Sequence, residues 1–172
     1  MEALQVLKQR RSVRAYRDEQ ITEDQLSAIL EAGTYAPTGM GRQSPVMVVV
    51  QDKALIERLS RMNAAVMGMD GDPFYGAPTV VIVFGNPNVA MTWLEDGALV
   101  MGNLLNAAYA VGVDSCWIHR AKQMFETEEG KELMRAWGVP EGCVGIGNCI
   151  LGYAKNPLPA PRPRKSDYII RV

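Results

Sequence analysis

Two short stretches hold most of the chemistry this sequence offers: Arg10-Arg11-Ser12-Val13-Arg14 near its start and Arg162-Pro163-Arg164-Lys165 near its end. Each is a tight basic cluster with almost no acid beside it, in a chain whose formal net charge is only −1. Cations held close together repel, so a folded protein either brings such clusters to an anion or leaves them in water. Arginine suits the first role, because its planar fork of donors matches phosphate oxygens two at a time. One reading is that both ends meet on one phosphate. The other is two solvated charge runs, and for a basic run taken alone that is the commoner outcome.

The rest of the sequence removes many familiar chemistries. His119 is the sole histidine and no Gly-x-Ser-x-Gly elbow is present, so a Ser-His-Asp triad has little to build on. No His, Cys or carboxylate cluster has metal-ligand spacing, and the Gly-x-x-x-x-Gly-Lys-Ser/Thr phosphate loop is absent. Gly145-Ile146-Gly147 begins like a dinucleotide fingerprint, but Ile150 stands at the third glycine position and no helix follows. These glycines read instead as points of close packing within a strand. What remains is a chain with cations ready for phosphate and no evident acid, base or nucleophile. Such a chain suits a cofactor that carries the reaction while the protein binds, orients and tunes it.

The elements that must position these residues can be read in order. At 172 residues the chain forms one domain, 1–172, with a core large enough to need no metal or disulfide. Residues 2–10 form a short helix with Leu4, Val6 and Leu7 inward, ending at the basic cluster. Thr22-Glu23-Asp24-Gln25 is a capping box that opens a helix stopping near Gly33. Ala36 to Pro45 is irregular, with two prolines bracketing two glycines, as suits either a ligand loop or a plain connection. Val46–Gln51 is an unbroken apolar run, expected as a strand buried on both faces. Asp52 caps a helix carrying Leu55, Ile56, Leu59 and Met62. Residues 63–76, rich in Met, Gly and Asp, read as a mobile surface segment that could form a lid.

Pro78–Phe84 is a second buried strand. Thr92-Trp93-Leu94-Glu95 is a second capping box, opening the longest helix, Trp93 to Val111, which is apolar almost all the way round. Such a helix must be buried on all sides, by a partner subunit or at the centre of a monomer. Val113–Ile118 and Cys143–Gly152 are further strands, and Thr127 caps a helix over 127–137. From Lys155 the chain becomes a proline-rich extended arm, 155–172, ending in Tyr168-Ile169-Ile170-Arg171-Val172, a run with strand propensity. An arm followed by a strand suggests reaching to another subunit and adding to its sheet edge.

Composition bounds the setting. The pI of about 5.9 argues against a broad nucleic-acid-binding surface. Cys116, Cys143 and Cys149 sit in apolar surroundings at no metal spacing and read as buried thiols of a reducing compartment. There is no basic n-region followed by an apolar run, and no apolar stretch long enough to span a membrane, so the expected location is cytoplasmic.

Arg-Arg-Ser-Val-Arg after a first short helix and Ala-Pro-Thr-Gly-Met-Gly-Arg-Gln-Ser-Pro after a second resemble the nitroreductase family of FMN-dependent oxidoreductases. The similarity continues through the long helix, Gly112–Ile118, the Gly147–Tyr153 strand and the basic tail. The resemblance implies an α+β fold with a mainly antiparallel central sheet flanked by helices, and an intertwined homodimer with C-terminal strand exchange and two FMN molecules at the interface. It further implies that Arg10 and Ser12 bind the FMN phosphate and ribityl region with Arg11 alongside, while Arg14 sits at the pyrimidine edge of the flavin. A fixed cation there would stabilise the anionic reduced ring. Thr38, Gly39 and Gln43 would come from the other subunit, the backbone of Ile118, His119 and Arg120 would face the ring near N5, and Arg162 and Arg164 would complete the phosphate site.

Two departures stand out: Gly41 replaces an asparagine common in such proteins, and His119-Arg120 stand where glutamate or glycine is frequent. His119 is also a candidate proton donor, against the plainer reading of a solvent-facing side chain. The implied activity is hydride transfer from NADH or NADPH through flavin N5 to an electron-poor small-molecule acceptor, such as a nitroaromatic or quinone, by a ping-pong mechanism. Another flavin reaction, such as a dehydrogenation, is the rival within the family. Outside it stand a non-enzymatic module binding phosphorylated ligands or RNA through the basic clusters, and a flavin store or sensor.

Overall fold

The structure is a computed structural model and describes residues 2–172. Four strands form one antiparallel sheet: β1 (Val46–Val50), β2 (Thr79–Gly85), β3 (Asp114–Ile118) and β4 (Val144–Gly152), in the spatial order β1-β2-β4-β3. β2 is buried along its whole length. Its side chains alternate, with Val80, Ile82 and Phe84 in one core and Val81 and Val83 in the other. A strand that feeds two cores needs apolar residues at every position, which is why this run shows no alternation with polar residues.

The first core is closed by α3 (Lys53–Met67), α5 (Ala121–Glu126) and α6 (Glu128–Ala136), with Phe74 and the Val13–Tyr16 segment. The second is closed by α2 (Glu23–Thr34) and α4 (Trp93–Ala110). α1 (Ala3–Gln9) precedes the Arg10–Arg14 segment, and a single 3₁₀ turn, Gly39–Gly41, lies in the loop before β1.

The glycines of β4 act as the sequence suggests. A Cβ on Gly145 would lie 2.6 Å from the Ala121 carbonyl, and one on Gly147 would lie 2.5 Å from the Trp117 Nε1. The β2–β4 register shifts between Val83 and Phe84, leaving Ile146 as the extra residue of a bulge whose side chain joins the second core.

The Thr22 capping box forms: the Gln25 amide donates to Thr22 Oγ1 at 3.2 Å and the Thr22 amide to Gln25 Oε1 at 3.0 Å. Thr127 accepts from the Gly130 amide at 3.0 Å and opens α6. Thr92 does not form the expected box; it makes no side-chain cap and its hydroxyl packs against Gly39 instead.

Other expectations are corrected. β1 is an edge strand with Val49 exposed, not a strand buried on both faces. Leu4 and Leu7 are exposed, and only Val6 of α1 is buried. α4 leaves Leu94 and Leu99 exposed and the Cβ position of Gly102 open, so one stripe of it is uncovered in the single chain.

Helix α3 continues to Met67, because nothing breaks it before Gly68, which caps it in a left-handed conformation with φ 62°. The segment's far end, Asp72–Gly76, is pinned. Asp72 Oδ1 accepts from Ser60 Oγ and from the Phe74 amide, and Oδ2 from the Gly76 amide. Phe74 itself is buried in the first core. The sequence reading also missed α5. After Gly152 the chain forms no further strand, and 155–172 runs exposed. No helix among the described residues is long and apolar enough to cross a membrane.

Candidate active site

The Arg10–Arg14 segment is stitched to the sheet by its backbone. The Val13 amide donates to the Ser115 carbonyl at 3.0 Å, and farther along the Arg17 amide donates to Tyr153 at 2.9 Å. This lays Ser12 beside Ser115 on β3 and brings Arg10, Ser12 and Arg14 around the buried Cys116. Burial pushes the Cys116 thiol up, while Arg14, a hydrogen bond from Ser12 and Arg10 pull it down.

The members of the cluster differ in what they have already bonded. Arg11 donates through Nη1 to the Lys8 and Arg10 carbonyls, at 2.9 and 2.7 Å, and so closes the end of α1. Its Nε is buried without a partner among the described residues, and so is Nη1 of Arg10. A buried guanidinium donor with nothing to bond is costly, and an anion is its natural complement.

A pocket of about 380 Å³ opens beside this segment. It is lined by Arg14, by the end of β3 from Cys116 to Ile118, by His119 and Arg120, and by Met67, Met69, Asp72 and Tyr75. The turn after β3 is held from below by two side chains the sequence reading did not single out. Asn63 on α3 donates to the His119 carbonyl at 2.7 Å, and Asn148 on β4 donates to the Ile118 carbonyl at 3.3 Å. Both are fully buried. Their signal in the sequence is a lone amide within an apolar helix face and within an apolar strand. Arg120 ends the turn with φ 75°, a left-handed conformation that costs a non-glycine residue roughly 1–2 kcal/mol. The His119 side chain is exposed.

Thr38, Gly39 and Gln43 lie elsewhere. The Gly39 amide donates to Asp96 Oδ1 at 2.9 Å, in the first turn of α4. The Gln43 amide donates to Thr38 Oγ1 at 3.1 Å, with Gln43 at φ 49° and Met40 at φ 54°. Asp96, also missed, is a buried carboxylate that fixes this loop. The Arg10 end of α1 meets the opposite end of α4, where Tyr109 faces Gln9. α4 has 18 residues and so is about 27 Å long. The contact points, Asp96 and Tyr109, are 13 residues apart, about 20 Å, so one chain carries the loop and the arginine cluster toward opposite ends of this helix. Arg162 and Arg164 stand on the exposed arm, and no hydrogen bond or ion pair among the described residues ties them to Arg10–Arg14.

The Nitroreductase family model matches residues 7–68, which hold the arginine cluster and the Thr38–Gln43 loop. The structure of a nitroreductase with bound FMN from Bacteroides fragilis superposes with a TM-score of 0.91 at 33% identity, over 100% of this chain and 99% of that one. The chain belongs to the nitroreductase family. A second nitroreductase with bound FMN, from Desulfitobacterium hafniense, superposes with a TM-score of 0.89 at 27% identity over 100% of this chain and 99% of that one. A protein of Archaeoglobus fulgidus, whose name includes NAD(P)H nitroreductase, is 28% identical over 160 residues, covering 90% of this chain and 87% of its own. Within this nitroreductase fold, Arg14, Ile118, His119 and Arg120 line one pocket, Arg10 and Ser12 lie in the segment leading to it beside Cys116, and Thr38, Gly39 and Gln43 lie apart from it.

Proposed function

We propose that this nitroreductase is an FMN-dependent oxidoreductase, working as a homodimer, that takes reducing equivalents from NAD(P)H and delivers them to an electron-poor small molecule. FMN bound in the pocket supplies the hydride chemistry, which no side chain of this protein provides. The observation that carries the reading is the pair of buried, partnerless donors on Arg10 and Arg11, in the same short segment that supplies Arg14 to the pocket wall. Donors of this kind fit a phosphate.

Each residue then has a physical task. Arg10 and Ser12 anchor the phosphate and ribityl end. Arg11 mainly secures the end of α1, since its Nη1 already serves two carbonyls. Arg14, at the pocket wall, sets a fixed positive charge where the reduced ring gathers negative charge, and so favours the reduced form. The Ile118–Arg120 turn presents backbone amides to the ring, and Asn63 and Asn148 keep it in place. Thr38, Gly39 and Gln43 complete the site of a second copy, laid so that its α4 runs the other way. The uncovered stripe with Leu94, Leu99 and Gly102 supports such a contact, because apolar side chains and an open glycine let two helices approach closely.

The exposed edge of β1 and the arm 155–172 offer a strand-to-edge contact between copies, which would carry Arg162 and Arg164 toward the partner's phosphate. His119, exposed at the rim, is placed for solvent contact more than for a buried proton transfer. Because donor and acceptor would use one face in turn, the kinetics should be ping-pong. The setting fits the cytoplasm.

The test is direct. The purified protein should be yellow, and Arg10→Ala and Arg14→Ala should lose most of their flavin while staying folded. Steady-state oxidation of NADH or NADPH with a panel of nitroaromatics and quinones should give parallel double-reciprocal lines. A colourless protein that FMN cannot reconstitute would overturn the reading in favour of a phosphate-binding module. A yellow protein that oxidises neither nicotinamide would be a flavin store.

A further inference from the structure

We infer that the pocket beside the β3–α5 turn selects ligands carrying an anionic group, a carboxylate on the electron acceptor, and that the Arg120 side chain makes the selection; this rests on the oxidoreductase reading above. Among the lining residues, the basic and acidic side chains are Arg14, Asp72, His119 and Arg120. Asp72 is the only carboxylate among them, and it is spent on its own loop. Ser60 Oγ and the Phe74 amide donate to one of its oxygens and the Gly76 amide to the other. Arg14 is committed to the ring by the reading above. His119 is exposed and turned to solvent at the rim; that leaves Arg120, half-buried and making no side-chain hydrogen bond or ion pair with any described residue.

The conformation of Arg120 adds to this. At φ 75° a glycine would sit without steric cost, yet here the position carries a long cation at the pocket rim. Part of the same lining is apolar and soft: Met67, Met69 and Tyr75 are all partly exposed. Methionine side chains adapt to a flat ring and its sulfur favours aromatic contact. With FMN bound, a planar apolar acceptor stacked between the ring and these residues, with an anion toward Arg120, would meet both. A neutral body of the same shape would desolvate the guanidinium with nothing in return. The shared chemistry, an anion meeting Arg120, could also come from a phosphate of the nicotinamide donor, and the test separates the two.

Flavin-loaded protein is assayed with 4-nitrobenzoate and 4-nitrobenzamide, which differ mainly by one charge. We expect kcat/KM to favour the carboxylate, and Arg120→Asn to lower the ratio about tenfold, as suits loss of one charge-assisted hydrogen bond. Asparagine tolerates the left-handed backbone, and any effect of the substitution on flavin loading divides out of the ratio. Arg120→Lys should keep the preference. A readout without turnover is calorimetric binding of benzoate, expected to weaken about tenfold in Arg120→Asn, with benzamide unaffected.

An unchanged acceptor ratio with unchanged benzoate binding overturns the inference. So does a fall in the NADPH-to-NADH ratio of kcat/KM with the acceptor ratio intact, which would assign the anion to the dinucleotide. A flavin-free protein that oxidises neither nicotinamide, yet binds benzoate through Arg120, would overturn the oxidoreductase reading and leave the anion site standing.

Discussion

Replacing Asn63 by alanine tests whether the pocket wall is held from beneath. Asn63 is fully buried on α3, and its amide donates to the His119 carbonyl at 2.7 Å. Its Oδ1 has no partner among the described residues, so the native state already bears one orphan acceptor. Removing the side chain strands the His119 carbonyl, a loss of about 1–3 kcal/mol. It also leaves a small void beside Met124, and it removes the orphan oxygen, which offsets part of the loss.

The balance is a destabilisation of about 2 kcal/mol, or roughly 4–8 °C in Tm for a chain of this size. Urea unfolding of both proteins at one protein concentration and with saturating FMN measures it, since association and ligand each shift apparent stability. A difference below about 0.5 kcal/mol, the range of an ordinary surface change, would show that the β3 turn does not depend on this amide.

Three further outcomes follow from the packing. Gly145→Ala should cost about 3 kcal/mol or more, measured by urea unfolding, because the new Cβ would meet the backbone of Ala121 at 2.6 Å and neither strand nor helix can yield easily. Thr22→Ala should lower stability by about 1 kcal/mol through loss of the capping box, with flavin content unchanged. Burial raises the thiol pKa of Cys116, Cys143 and Cys149. Below the unfolded thiol pKa, about 8.5, both states keep these protons and stability is flat in this respect. Above it the unfolded chain sheds protons that the folded chain retains, so stability should fall from pH 8.5 upward, by at most about 1.4 kcal/mol per pH unit per thiol. Cys149→Ala should make that fall shallower, and stability rising with pH there would contradict the burial of these thiols.

Features set by neighbours in the chain were legible in the sequence. The Thr22 box depends on two side chains three residues apart, and it formed. The similar Thr92 pattern failed because Thr92 has φ −86° and ψ 18°, not the extended backbone of a capping residue, and its hydroxyl lies against Gly39. β1 looked like a core strand because an edge awaiting cover and a strand already covered can both be wholly apolar. Residues 63–67 resemble a loop in composition, yet no helix breaker stands before Gly68 and α3 runs through them.

In the site, Arg10, Ser12 and Arg14 stood out because charge clusters are rare in so balanced a chain. Asn63, Asn148 and Asp96 did not, since a single buried polar residue is conspicuous only once its surroundings are known. That the Thr38–Gln43 loop and the arginine cluster lie apart was implied by the resemblance alone; only the length of α4 gives it a physical reason.

That separation has a genetic consequence. On the shared-site proposal, every site draws its arginine cluster from one chain and its Thr38–Gln43 loop from the other. Take one chain impaired only at Arg10 and another only in the loop. Pairs of like chains have two defective sites. A mixed pair gathers both defects into one site and leaves the other wholly intact. Two inactive alleles expressed together should then restore activity that neither supplies alone, whereas two alleles impaired at the same end of the helix should not.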